Sequence, residues 1–151
     1  MINVLEHINN PEKVLKNIHK NLIHKNGSLI LQVPNDFNVI QKIAVEKNSC
    51  KEWWFAPPQH ISYFSPQSLE NLLSECGFKE ITTFCSFPID MFLLMGKDYI
   101  NDPSLGREAH LSRHEFEQSF KKYGKMNELK NIYKSFSKAG IGREIICSAI
   151  A

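Results

Sequence analysis

The order of apolar segments predicts an α/β fold whose first half is missing. A helical pattern over residues 11–24 stops at Asn26-Gly27 and runs into the short apolar stretch SLILQVPN. A second helix-then-strand unit occupies residues 65–87, and a last apolar strand, REIICSAIA, ends the chain. Helices alternating with apolar strands mark the α/β class. The opening, MINVLEHINN, reads as the end of a strand with no leader, cap or turn before it, so Met1 is expected to be an internal methionine or a fragment boundary.

Each element has its own signal. Asn10 can accept from a free backbone N–H at a helix start, Pro11 suits the first helical position, and Val14, Leu15, Ile18 and Leu22 mark one face. Glycine at 27 is expected to close this helix in the left-handed conformation. The run 28–35 reads as a strand buried on both faces, as in a parallel sheet. A modest helix is expected near residues 37–45, followed by the aromatic loop KEWWFAPPQHISYF, where Pro57-Pro58 excludes regular structure. Ser65-Pro66 starts another helix, with Leu69, Leu72, Leu73 and Cys76 on one face and Gly77 as its stop. FKEITTFCSF, rich in β-branched and aromatic residues, is a second strand. Residues 90–139 read as a helical insertion, with amphipathic stretches at 110–123 and 126–137 broken at Gly124. The whole chain, 1–151, is expected to be one partial domain.

Composition narrows the partners. A length of 151 residues with 42% hydrophobic content suits one soluble core. Eighteen basic against 16 acidic residues leave a charge of +2, which points to neither nucleic acid nor an anionic membrane. Cys50, Cys76, Cys85 and Cys147 are scattered singly, so reduced thiols and a cytoplasmic location are expected. The apolar run near Met91 to Met95 is too short for a bilayer span.

Two stretches carry a family resemblance. VLEHINNPEKVLKNIHKNLIHKNGSLILQVPN resembles the segment after the fourth strand of class I S-adenosylmethionine-dependent methyltransferases, and QHISYFSPQSLENLLSECGFKEI is similar to the helix and strand that follow. The tail, with DPSLGREAHLSRHEF and GREIICSAIA, resembles the C-terminal region of small-molecule and sugar-modifying members. The resemblance implies the C-terminal half of a Rossmann-like methyltransferase sheet with a helical insertion before the last strand. It implies S-adenosylmethionine as cofactor, a small-molecule acceptor, and Asn3, Val4 and Leu5 along one side of the cofactor pocket. The family's glycine-rich turn and its ribose-holding acidic residue have no counterpart in these 151 residues.

Chemistry could reside in few side chains. His7, beside Glu6, is one candidate base, because imidazole titrates near neutral pH and strand ends face the ligand crevice. His60 in the aromatic loop is the second. For both, the alternative is a structural role, fixing the loop or packing against Trp53 or Tyr63. Trp53, Trp54 and Tyr63, with Phe55 and Phe64, could form a substrate wall or simply pack the loop. Glu6-His7 also resembles part of an ExxEH metal-binding pattern of quinone-biosynthesis O-methyltransferases, but Asn3 stands at the first glutamate position, so no metal is expected. His110 and His114 at i, i+4 read as a solvated helix face, as do the lysines from Lys121 to Lys138. The missing strand leaves an apolar sheet edge, which predicts a homodimer or a companion chain there. A non-catalytic half-domain acting as an interaction protein is the rival function, and a nucleotide-binding α/β protein of another kind is a third.

Overall fold

The computed structural model describes residues 1–151. Its first three residues lie alongside strand β1 (Ser28–Pro34) as a short parallel segment. The Gln32 N–H donates to the Met1 carbonyl at 3.0 Å, and the Asn3 N–H to the Gln32 carbonyl at 2.9 Å. A single 3₁₀ turn, Leu5–His7, follows.

Helix α1 (Pro11–Asn17) is capped by the Asn10 side chain, which accepts from the Lys13 N–H at 2.9 Å. The expected helix over 11–24 is not uniform: it continues as a wider π turn, Ile18–Leu22, where the His19 ring packs edge-on against Phe78 at 4.9 Å. The left-handed residue that ends this segment is Asn26, with φ of 66°, rather than Gly27. Glycine is required at 27 for space, since a Cβ there would lie 2.4 Å from the Ile23 side chain and 2.8 Å from the His24 carbonyl.

The sheet has three strands in the order β1-β3-β2, with β2 at Lys79–Cys85 and β3 at Glu144–Ile150. β3 runs antiparallel to both neighbours, pairing Leu31 with Cys147 on one side and Thr83 with Cys147 on the other. β1 therefore departs from the two-sided burial read from its sequence. Leu29, Leu31 and Val33 point into the core, whereas Ile30 is 59% exposed. The reason is one-sided cover. Leu15 of α1 and Leu69 and Leu73 of α3 (Pro66–Glu75) join those three residues with Ile145, Cys147 and Ala149 in a single core cluster. Alternate residues of an antiparallel strand need cover on that face only.

Between the strands, α2 (Val39–Asn48) starts two residues later than its apolar pattern suggests, because Asn38 and Gln41 form a capping box and Phe37 sits at a φ of 62°. α4 is short, Met91–Leu94. α5 (Pro103–Lys122) begins well before the amphipathic stretch at 110, since the Asp102 carboxylate accepts from the Ser104 N–H at 2.8 Å and Pro103 fills the first turn. α6 (Met126–Lys138) follows the break at Gly124 and leans on β2, with the Lys134 ammonium 5.5 Å from the Phe84 ring centre. No helix is long and apolar enough to cross a membrane. The four cysteines are unpaired.

Candidate active site

The residues with chemistry gather where the N-terminal segment and β1 both end. These two pieces run parallel, so their carboxyl ends open on the same side, the place where α/β sheets hold ligands. Three further pieces close on that point: the turn after β1, the loop 51–64 and the start of β3.

The turn after β1 is held rigidly. The Asn35 side-chain amide donates to the carbonyls of Gly140 (3.1 Å) and Gly142 (3.0 Å), and its backbone N–H donates to the Arg143 carbonyl at 3.0 Å. This lock presents Asp36, which is buried. Its carboxylate lies 3.5 Å from the Arg143 guanidinium and 3.8 Å from His60 Nδ1, and the Gln41 amide donates to it at 3.4 Å. Burial raises the Asp36 carboxyl above its ordinary range, with Arg143, Gln41 and His60 pulling the other way.

The loop is stitched to the N-terminal turn through Glu6, whose backbone carbonyl accepts from the amides of Ile61 (2.8 Å) and Ser62 (3.0 Å). His7 Nδ1 meets the Gln59 carbonyl at 2.5 Å. A carbonyl can only accept, so Nδ1 carries a proton, and in the neutral ring the Nε2 lone pair is left open. That Nε2 sits 3.7 Å from the Glu6 carboxylate, which is only 2% exposed and has its second oxygen without a hydrogen-bond partner. The rings of His7 and His60 meet edge-on, 5.0 Å between centres.

The structure therefore brings His7 and His60 together, from positions far apart in sequence. Asn3 and Val4 lie exposed beside them at the end of the paired segment, and Asn3 has a φ of 50°. Leu5 differs: its side chain is wholly in the core, so only its backbone borders the site. The aromatic residues also divide. Tyr63 and Trp53 are half-buried, with Tyr63 5.2 Å from Phe37 and 6.1 Å from His60, ring centre to ring centre. Trp54 is 3% exposed and packs edge-on against Phe37, which corrects its place in a substrate wall: it holds the loop. His110 and His114 lie exposed on α5.

Sequence reasoning missed Asp36 and Arg143. The signal for Asp36 was present, since a carboxylate directly after a buried strand falls at its carboxyl end. Arg143 gave none, because only the β3 register brings it there.

A family model described as a methyltransferase domain matches residues 1–83. No curated protein matches the sequence. Among solved structures, the chain is similar to Haemonchus contortus phosphoethanolamine N-methyltransferase 2, in complex with phosphomonomethylethanolamine and S-adenosylhomocysteine in one case and with S-adenosyl-L-methionine in another. Identity is 13% in both, with TM-scores of 0.47 and 0.48, and 99% of this chain is covered. The chain spans 32% and 31% of those two chains, about a third of their length.

Proposed function

Because the chain belongs to the methyltransferase-domain family, its match extending over more than half of its length, we propose that it forms the acceptor side of an S-adenosylmethionine-dependent methyltransferase acting on a small molecule. The observation that carries this reading is the pairing of His7 with His60 beside exposed Asn3 and Val4, at the carboxyl ends of two parallel segments. The residues present fit one wall of a cofactor site. Val4 offers an exposed apolar side chain and Asn3 a polar one, where a strand end leaves the backbone open. When bound, the cofactor supplies an electrophilic methyl group on a sulfonium sulfur.

The chain's own residues then have two tasks. Tyr63, partly exposed and 6.1 Å from His60 ring centre to ring centre, borders the space beside His60 and can hold a flat or sugar-like acceptor by its face; Trp53, also partly exposed, packs edge-on against Trp54 in the same loop. His60 or His7 takes the proton that an acceptor hydroxyl loses as its oxygen gains the methyl group. Asp36 stands behind His60 at 3.8 Å and stabilises the ring as it becomes charged.

The test is a calorimetric titration of the purified chain with S-adenosylhomocysteine. Micromolar binding supports a working cofactor site in this chain. Absence of heat and of a thermal shift limits the chain to the acceptor side alone.

A second reading, a half-domain that acts by association, is supported by the bare edge beyond β1. Ile2 is 65% exposed and Ile30 59%, and only three residues cover that edge. We assign the edge to a second copy or to a companion polypeptide that continues the sheet. A monodisperse monomer at high concentration counts against both.

A further inference from the structure

We propose that Glu6, His7 and His60 form a binding site for a divalent transition-metal cation of the class that takes mixed nitrogen and oxygen donors, with zinc as its reference member. One donor atom from each residue lies within 4.8 Å of the other two. The inference departs from the sequence expectation of no metal, and Asn3 has no part in it; the third donor comes from the loop.

Three features make this a built site rather than a chance cluster. Glu6 is almost wholly buried, yet Oε2 has no hydrogen-bond partner. A buried carboxylate oxygen left unpaired is costly unless something positive meets it. The Gln59 carbonyl fixes the His7 tautomer so that Nε2 points a lone pair toward Glu6, the arrangement by which a second group orients a ligating imidazole. His60 Nδ1 is likewise buried without a hydrogen-bond partner, and the Asp36 carboxylate 3.8 Å away draws positive charge toward that ring.

Donor chemistry selects the ion. Two imidazoles and one carboxylate suit zinc and its neighbours, and leave coordination positions open for a water or an acceptor oxygen. Metal–donor distances of about 2.0–2.2 Å would draw the three donors to roughly 3–3.5 Å apart. Resting on the proposed function, an acceptor hydroxyl bound to the ion would lose its proton more readily, to solvent water at the exposed His7 side of the site, with His7 and His60 serving as ligands rather than as proton acceptors. Cation binding itself does not depend on that reading.

The test titrates zinc chloride into the purified 151-residue chain, and repeats the titration with Glu6→Gln and His60→Ala. The expected result is one saturable site, weakened about 100-fold or more in each variant, and a cobalt(II) spectrum free of thiolate charge-transfer absorption. Circular dichroism checks folding; should buried Glu6→Gln fail to fold, the loop variant His60→Ala decides. Absence of saturable binding, affinity unchanged in His60→Ala, or a thiolate band would each overturn the proposal. None of these readouts involves S-adenosylhomocysteine, so the cation site and the methyltransferase reading fail separately.

Discussion

The Asp36 carboxylate lies 3.5 Å from the Arg143 guanidinium, joining the end of β1 to the residue before β3. The pair is asymmetric. Asp36 is buried, while the Arg143 side chain keeps 38% of its surface in solvent. Removing the carboxylate charge leaves the buried Arg143 Nη1 without its ion-pair partner while the rest of that side chain reaches water, whereas removing Arg143 leaves a buried anion.

This asymmetry sets a pH dependence. The folded Asp36 carboxyl is raised above 3.8 by burial, so the native state binds its proton more tightly than the unfolded chain does. That contribution to stability is complete below the unfolded value and is lost as pH rises through the folded one. Asp36→Asn is therefore expected to raise the melting temperature by a few degrees at pH 7, about 1 kcal/mol at this chain length. The gain should vanish below about pH 4. Thermal melts of both proteins across pH 3–8 check this; an equal gain at every pH would refute it.

The thiols predict an accessibility order. Burial pushes the Cys85 thiol up to about 12 and raises Cys76 and Cys147, while Cys50 is only half-buried. A thiol-reactive disulfide reagent should label one cysteine in the native protein and four after denaturation. The same raised thiols make the native state lose stability as pH climbs from about 9 toward 12, because the unfolded chain ionises first. Early labelling of Cys85 would contradict the packing between β2 and β3.

Gly142, two residues before β3, lies close against the end of β2. Its φ is 118°, and a Cβ there would meet Cys85 Cβ at 2.5 Å and the Ser86 carbonyl at 2.6 Å. Gly142→Ala is expected to cost about 3 kcal/mol or more, read from urea denaturation, because both strain and overlap must be relieved by backbone. Gly140→Ala meets nothing within 4 Å and should cost clearly less, through its φ of 68° alone.

His60 separates chemistry from binding. In an assembly that transfers methyl groups, His60→Ala is expected to lower kcat about 100-fold while the affinity for S-adenosylhomocysteine changes little. Unchanged turnover would remove His60 from the mechanism.

The elements were legible because their signals are local. Asn10-Pro11 and Ser65-Pro66 announce helix starts whose caps the structure contains, and the three apolar runs became the three strands. Burial of β1 was misread because SLILQVP looks uniformly apolar, and one-sided cover depends on which helices pack on the sheet. The site was half legible. Glu6-His7 and His60 stand out as residue types, but their meeting is made by the Glu6 carbonyl gripping the amides of Ile61 and Ser62, which no side-chain pattern encodes. Asp36 and Arg143 meet only through the register of β3.

The central place of β3 bears on how such a chain can be made. β1 and β2 have no sheet partner in each other, and the strand that joins them is synthesised only after the whole helical stretch between Met91 and Lys138. At about 5–20 residues per second, a ribosome leaves the apolar edges of β1 waiting on the order of ten seconds. During that interval the nascent chain is open to wrong pairings and to chaperones, and the final strand acts as the closing step of assembly rather than as an extension of a sheet already formed.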